Sequence, residues 1–293
     1  MNKSETWDIC AQDYLTTTQN VTGRCIVELL EELSLLPVTS SAPTIKVIDI
    51  AAGTGILAIL LGEAYSQAGQ FDKITILSTD FSKVMMQKAQ TQFNARNWPE
   101  TQLSTRVADA TDLVDIPSDF YTHAFCTFGL MLIPNASKAI NEMFRVLQST
   151  GTIGIATWQK VGWFPIVMEC VSRAKKACPS NEEQTVSSNN ILSGWSDASY
   201  VQQVLEDGGF ENVRTKIFES RWSFNNQNQC VEQITQAQWI QPILASLNLT
   251  SEQRLKYIQL APQILLDLIG NNPDQAFDLP MIAILAYGQK PAQ

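Results

Sequence analysis

One stretch of the 293-residue sequence decides the fold: Ile45-Lys46-Val47-Ile48-Asp49-Ile50, followed by Ala51-Ala52-Gly53-Thr54-Gly55. The first six residues are mostly apolar and β-branched, which is typical of a strand buried in a parallel sheet. The glycines favour a tight loop, because a residue without Cβ lets the backbone approach a ligand closely. Residues 56–68 then predict a helix that starts directly after the loop. The stretch therefore predicts a strand–loop–helix unit of the kind that binds ligands at the helix N-terminus.

The alternation of strands and helices continues beyond this unit. Short runs rich in β-formers predict further strands at 74–78, 103–107, 124–128, 151–158, 213–224 and 281–287. Helical periodicity predicts helices at 26–36, 82–97, 135–147, 164–177 and 196–208, with a polar segment at 1–22 and a loop at 179–190. Such alternation indicates a parallel sheet with helices on both faces. The predicted fold class is α/β, with a Rossmann-like, seven-stranded, mostly parallel sheet.

A helical insert precedes the last predicted strand. It covers residues 227–269, with turns expected near Asn248 and Pro262. We expect it to form a cap over the carboxyl edge of the sheet, where ligands bind in such folds. The predicted organisation is one domain over 1–293, made of an N-terminal helical cover at 1–44, a sheet core at 45–224 and 280–293, and the cap at 225–279.

Composition limits the partners. The chain has 20 basic and 29 acidic residues, a net charge of −9, and no basic stripe that would bind a nucleic-acid backbone. The N-terminus lacks the apolar core of a signal peptide, and the most apolar run, 47–61, is too short and too interrupted to cross a membrane. We therefore expect a cytoplasmic protein without a nucleic-acid or membrane partner. The oligomeric state stays open, with a monomer favoured.

The cysteines and the sole histidine suggest no metal site. Six cysteines are present without a C-x-x-C pair, so we expect reduced thiols packed as small apolar side chains. One histidine, His123, offers too few ligands for a metal ion. It precedes the fourth strand, at the end opposite to the ligand edge, and is expected to be structural.

The glycine loop by itself leaves its ligand open. Gly53-Thr54-Gly55-Ile56-Leu57-Ala58 fits G-x-G-x-x-A, a dinucleotide pattern. However, Asp49 ends the preceding strand, where a carboxylate would repel a pyrophosphate and attract a cationic amine, directly or through water. The sequence also lacks a Tyr-x-x-x-Lys pair for hydride chemistry of the short-chain type.

The later motifs show a resemblance to class I S-adenosylmethionine (SAM)-dependent methyltransferases. After the glycine loop they are Thr79-Asp80-Phe81-Ser82-Lys83-Val84-Met85-Met86, Ala108-Asp109-Ala110, Phe128-Gly129-Leu130 with Pro134-Asn135, and Glu142-Met143-Phe144-Arg145-Val146-Leu147 before Gly151. The chain departs from the family at Ala51, where a glycine is usual. The resemblance implies that SAM is the cofactor and S-adenosylhomocysteine its product.

The resemblance also implies the cofactor contacts. Asp80 would accept both ribose hydroxyls, Asp109 would accept from the adenine amine, and Met85 would pack against the adenine. Tyr14 and Thr22 would close over the methionine end. The full expected set is Tyr14, Thr22, Asp49, Ala51, Gly53, Gly55, Asp80, Phe81, Met85, Asp109, Ala110 and Phe128.

The second half is similar to fungal small-molecule methyltransferases, a group that includes the gliotoxin bis-thiomethyltransferase. The similar segments are Thr157-Trp158-Gln159, Trp163-x-Pro165-Ile166 and Trp195-x-x-x-Ser199-Tyr200-Val201-Gln202. The resemblance implies S-methylation of a thiol or dithiol secondary metabolite, such as an epidithiodioxopiperazine. Whether such a reaction serves detoxification or biosynthesis stays open. The exit of strand four, at 130–133, and the cap differ from that group, so another acceptor stays open. The expected substrate contacts are Met131, Trp158, Trp163 and Trp195.

The catalytic group is not evident from the sequence. Phenol oxygens often need a general base, whereas a thiol with a pKa near 8.5 is already about 3% ionised at pH 7. A base-free enzyme could work by holding the acceptor sulfur in line with the methyl group. Two alternatives remain: O- or N-methylation of a phenol, quinone or amine with an Asp, Glu or Tyr base, and a member of the fold that binds SAM without transferring its methyl group.

Overall fold

One sheet of seven strands forms the centre of the computed structural model, which describes residues 4–179, 194–270 and 272–292 without the side chains of residues 12–19 and 242. The strands are β1 (Ile45–Ile50), β2 (Ile74–Asp80), β3 (Leu103–Val107), β4 (Tyr121–Thr127), β5 (Leu147–Val161), β6 (Glu211–Phe224) and β7 (Phe277–Gln289). All seven predicted strands are present. β4, β5 and β7 begin earlier than predicted, because pairing with neighbouring strands extends them into more polar sequence.

The strand order creates a crevice at one edge of the sheet. The order is β3-β2-β1-β4-β5-β7-β6, in which β7 runs antiparallel to β5 and β6 and the other pairs are parallel. After β1, the chain adds β2 and β3 on one side of it, and then returns to add β4 and the later strands on the other side. The carboxyl ends of β1 and β4 therefore flank a topological switch point, where open α/β sheets bind ligands. The predicted mostly parallel α/β fold is confirmed.

Helices cover both faces of this sheet. They are α1 (Ser4–Glu32), α2 (Ile56–Gln67), α3 (Lys83–Ala95), α4 (Ala136–Val146), α5 (Trp163–Ala177), α6 (Ala198–Asp207), α7 (Gln227–Thr235), α8 (Gln241–Ser246) and α9 (Ser251–Ile269). Buried side chains of α4 and α6 form the core on one face, and those of the other helices pack on the opposite face. No helix in the described part of the chain is long and apolar enough to cross a membrane.

Helix α1 is longer than the sequence pattern predicts. The polar segment at 1–22 was expected to precede the helix, yet the helix already begins at Ser4. Cys10 and Ala11 are buried in its first turns and pack with Met85 of α3. This tertiary contact stabilises a helical segment whose own periodicity is weak.

The insert before β7 starts and ends at the carboxyl edge. Phe224 at the end of β6 pairs with Phe277 at the start of β7, so α7, α8 and α9 connect two strand ends on that edge. The predicted turn at Pro262 is wrong, because α9 runs through it. Tyr257 and Leu265 are fully buried on either side of Pro262, and this packing outweighs the hydrogen bond that a proline removes.

Two further expectations stay untested. The predicted loop at 179–190 lies outside the described residues after its first position. The division into an N-terminal cover, a sheet core and a cap stays a prediction.

Candidate functional site

A cleft of about 370 Å³ lies at the switch point, between the ends of β1, β2 and β4 and the side of α1. This volume is within the range of small-molecule sites. Helix α1 contributes Trp7, Thr22 and Ile26 to one wall. The expected site residues that line the cleft are Thr22, Ala51, Gly53, Asp80, Phe81, Met85, Asp109, Ala110 and Phe128.

The glycine loop presents backbone to the cleft. Ala51, Gly53 and Gly55 all have left-handed backbone, with φ of 55°, 55° and 80°. Gly55 lies beneath the cleft, where a Cβ would come within 3.1 Å of Ala89 and Phe93. Helix α2 follows at once without a side-chain cap, so its first backbone N–H groups have no side-chain acceptor in the described structure. The loop thus offers a close approach and hydrogen-bond donors to a ligand.

Asp80 at the end of β2 faces the cleft and ties the glycine loop to α3. Its Oδ2 accepts from the Gly53 N–H at 3.0 Å, and its Oδ1 accepts from the Ser82 N–H at 2.9 Å. Burial raises the pKa of Asp80, the two N–H bonds oppose that rise, and the charge of Asp8 adds to it. Each carboxylate oxygen can accept a further hydrogen bond, so Asp80 is oriented to bind two ligand hydroxyls.

Asp49 lies behind the loop and does not line the cleft. Its side chain is 1% exposed, and neither carboxylate oxygen has a hydrogen-bond partner among the described residues. Ser78, its register partner on β2, and Thr54 in the loop also carry buried hydroxyls without a described partner. Burial and the charge of Asp80 raise the pKa of Asp49 to about 8. These polar atoms could hydrogen-bond to a buried water molecule, and that water could in turn bind the amine of a ligand.

The side of the cleft beyond β2 and β3 combines apolar surface with one acid. Met85 is buried in the first turn of α3, and Phe81 is exposed at the rim. Asp109 holds its own loop in a turn, because its Oδ1 accepts from the backbone N–H and the hydroxyl of Thr111 at 2.8 and 2.9 Å. With Ala110, these residues give this side of the cleft apolar surface beside one carboxylate.

Helix α1 forms the opposite wall. Thr22 and Ile26 line the cleft from its second half, and Trp7 from its first turns. Trp7 was not among the expected site residues, because no sequence pattern connects an isolated tryptophan near the N-terminus to a sheet edge. Tyr14 belongs to α1 by its backbone, but its side chain lies outside the described residues.

The exit of β4 closes the far end of the cleft. Phe128 has a left-handed backbone with φ of 60° and stacks on Trp158 at a ring distance of 4.2 Å. At Gly129 a Cβ would lie 2.7 Å from the Cβ of Ala51, so this glycine lets the β4 exit pack onto the loop. The segment after it adds Leu132, Ile133, Pro134 and Asn135 to the lining. The sequence places these residues in the exit of strand four and its motif, but they were not among the expected site residues.

The structure does not bring the four expected substrate residues together at this cleft. Met131 packs against both core clusters, and Trp158 supports Phe128 from behind. Trp163 contacts Trp239 at 5.1 Å, while Trp195 contacts Tyr200 on the other face of the sheet. None of the four is among the lining residues, so their role as substrate contacts stays a prediction.

His123 lies away from the cleft. Its ring stacks with Phe125, its Nδ1 is 2.8 Å from the hydroxyl of Thr122, and burial lowers its pKa to about 4. The residue pairs with Val47, near the start of β1 and far from the carboxyl edge. A neutral imidazole in this position has no access to a ligand in the cleft.

Comparisons with known proteins agree with this architecture. A family model described as a methyltransferase domain matches residues 47–151. Methyltransferase tpcH of Aspergillus fumigatus is 26% identical over 253 residues, which cover 84% of each chain. Acetylaranotin bis-thiomethyltransferase of Aspergillus terreus is 26% identical over 276 residues, 92% of this chain and 91% of the relative.

A solved structure shares the fold. The YcgJ protein of Bacillus subtilis superposes with a TM-score of 0.53 at 16% identity, over 92% of this chain and 100% of the other. The sheet order, the cleft at the switch point and the sequence matches identify the chain as a class I methyltransferase that resembles fungal small-molecule methyltransferases.

Proposed function

We propose that this enzyme transfers a methyl group from SAM to a thiol of a small secondary metabolite. SAM supplies an electrophilic methyl group on a sulfonium sulfur when it is bound. The residues present fit this cofactor: Asp49 is a buried carboxyl group behind the loop without a described partner, and Ala51, Gly53 and Gly129 leave room for a ligand close to the backbone. The net charge of −9 and the two buried acids, Asp49 and Asp80, would favour binding of a cationic ligand.

Each part of SAM has a chemically suitable partner at this site. Asp80 is oriented by two N–H bonds and would accept from the ribose hydroxyls. Asp109, Ala110 and Met85 form the slot for the adenine. Asp49 would hold the amino group of the methionine moiety, directly or through water, with Thr22 on the α1 side.

The observation that carries the thiol proposal is the lack of a base at the β4 exit. The described residues that line this end are Thr22, Ile26, Thr127, Phe128, Gly129, Leu132, Ile133, Pro134 and Asn135. None of them is a general base at neutral pH, and the two acids of the lining lie at the ends of β2 and β3. An acceptor bound here must ionise with little help, which favours a thiol over a phenol or an amine.

The apolar walls then act by positioning. Phe128, Leu132 and Ile133 would exclude water and hold the acceptor sulfur in contact with the methyl group. The thiol would lose its proton to solvent before the apolar walls enclose it. The thiolate would then take the methyl group as the bond between that carbon and the sulfonium sulfur breaks, leaving S-adenosylhomocysteine. The relative from Aspergillus terreus, named as a bis-thiomethyltransferase, supports this acceptor class.

The test is the product mass after incubation with SAM and three matched acceptors: a reduced dithiol, a catechol and an aliphatic amine. We expect a mass gain of one or two methyl groups on the dithiol alone. A product from catechol or amine would replace the thiol by an oxygen or nitrogen acceptor, and would require a base outside the lining described above.

The cofactor site is tested separately by calorimetry. Asp80→Asn keeps the size of the side chain and one carbonyl acceptor, but loses the charge of both ribose contacts. We expect affinity for S-adenosylhomocysteine to fall at least tenfold, because a hydrogen bond to a charged group contributes about 1.5–3 kcal/mol. Asp72→Asn, on the exposed turn before β2, is the matched control and should bind as the wild type does. Unchanged binding by Asp80→Asn would refute the site assignment.

A further inference from the structure

The first turns of α1 are fixed to α3 by one carboxylate. Asp8 Oδ1 accepts from the hydroxyl of Ser82 at 2.5 Å and from the Val84 N–H at 3.3 Å. Both donors belong to the N-terminus of α3, where a negative charge is favoured by the helix dipole. Below these bonds, Cys10 and Ala11 bury apolar surface against Met85. The contact is therefore polar at the rim and apolar beneath it.

Ser82 connects Asp8 to the acid that faces the cleft. Its backbone N–H donates to Asp80 Oδ1, its hydroxyl donates to Asp8, and its oxygen accepts from the Met85 N–H at 3.1 Å. Ser82 itself is fully buried. The two carboxylates are thus held on either side of one serine, and a change at Asp8 alters the surroundings of Asp80.

The same turns of α1 also touch the insert before β7. The thiol of Cys10 donates to the Gln238 carbonyl at 3.7 Å, in the short 3₁₀ helix Gln238–Ile240. Trp7, directly before Asp8 in the chain, lines the cleft. The first turns of α1 therefore join the cofactor side of the cleft to the insert.

We propose that Asp8 is a positioning residue for cofactor binding: through Ser82 and Val84 it holds the first turns of α1 against α3, so that Trp7 completes the wall of the cleft. The proposal rests on the proposed SAM site. Asp8 is not among the residues that line the cleft, so it acts through Trp7 and Asp80 and not by ligand contact.

The experiment measures S-adenosylhomocysteine affinity by calorimetry for the wild type, Asp8→Ala, Asp8→Asn and Glu5→Ala. We expect Asp8→Ala to bind about tenfold more weakly, because both hydrogen bonds are lost. Asp8→Asn should lie within about threefold of the wild type, because its amide oxygen can still accept both bonds. Glu5 is exposed in the first turn of the same helix, so Glu5→Ala removes an equal charge and should bind normally.

Hydrogen exchange gives a second measurement that a general loss of stability would not imitate. Saturating S-adenosylhomocysteine should slow exchange of the amides at 7–12 in the wild type and in Asp8→Asn, but much less in Asp8→Ala. Exchange in β1 and β4 should be equal in all variants. Wild-type affinity in Asp8→Ala, or equal losses in Asp8→Ala and either Asp8→Asn or Glu5→Ala, would overturn the proposal. Failure of the wild type to bind would instead overturn the proposed function.

Discussion

Replacing Asp49 by asparagine should stabilise the ligand-free enzyme at neutral pH while weakening its affinity for the cofactor. Asp49 is 1% exposed and has no described hydrogen-bond partner, so its ionised form is poorly solvated. Its pKa is raised from 3.8 to about 8, first by burial and then by the charge of Asp80. Asparagine has nearly the same shape and stays neutral at every pH. The substitution therefore removes the cost of taking up a proton on folding at neutral pH, and also the acid that could ionise to pair with a ligand amine.

The size of the effect follows from this pKa. A carboxyl group whose pKa is higher in the folded state binds its proton more tightly there, so folding gains stability from it at low pH. That contribution is complete below pH 3.8 and is lost as the pH rises to about 8. Each pH unit within this window costs the wild type about 1.4 kcal/mol relative to Asp49→Asn. Between pH 5.5 and 7.5 the difference should grow by about 3 kcal/mol.

The assay is urea unfolding of ligand-free protein, followed by tryptophan fluorescence at several pH values. We expect the free energy of unfolding of Asp49→Asn to rise above that of the wild type as the pH increases. Asp72→Asn is the control for removing an exposed acid, and should follow the wild type within about 0.5 kcal/mol. A difference between wild type and Asp49→Asn that is constant from pH 5.5 to 7.5 would refute the reasoning, because it would show that Asp49 does not hold a proton in the folded enzyme.

Three further predictions concern packing and reactivity. Gly129→Ala should destabilise the enzyme by about 1–3 kcal/mol, because the new Cβ would lie 2.7 Å from the Ala51 Cβ and 2.8 Å from the Cys126 sulfur. Thermal unfolding measures this loss, with Gly23→Ala as the control because a Cβ there meets no atom within 4 Å; equal melting temperatures of the two variants would contradict the overlap. Lys290→Met should cost about 2–3 kcal/mol in urea unfolding, because Lys290 is 4% exposed and its ammonium donates to Asp119 and to the Phe144 and Leu147 carbonyls. A loss no larger than that of the exposed control Lys176→Met would show that these bonds contribute little. All six cysteines are free thiols, and only Cys178 is partly exposed, whereas burial raises the pKa of Cys10 to about 11. A disulfide reagent should therefore modify one thiol quickly in the native enzyme, and Cys178→Ser should remove this fast phase; a second fast thiol would contradict the burial of the others.

The strand–loop–helix unit illustrates what a local sequence can predict. The conformation of this unit depends on residues that are close in the chain: a run of β-branched residues, a glycine loop and an apolar helix. β1 and the start of α2 can therefore be predicted from the sequence. The same holds for α3 and α4, because Ser82 and Asn135 cap them as their positions indicate. Most of the expected cofactor residues line one cleft for a related reason: in a parallel sheet, the loops after the strands meet at one edge.

Contacts between distant segments of the chain could not be predicted from local sequence patterns. The first turns of α1 have weak periodicity, so the sequence does not predict them as a helix. Their packing against Met85 is a contact between distant parts of the chain, and Trp7 in the same turns lines the cleft. The four expected substrate residues failed to gather there for the opposite reason: an aromatic side chain at a strand end can face the ligand or the core, and Trp158 and Trp195 pack into the core.

By itself, the sequence determined the fold class, the position of the glycine loop and the acids near the carboxyl ends of β1, β2 and β3, because these depend on residue type and short spacing. Only the tertiary structure decided that Asp49 is buried behind the loop while Asp80 faces the cleft, and that Asp8 joins α1 to α3. Solvation and charge at each carboxylate depend on atoms brought together from remote parts of the chain, and no local spacing encodes them.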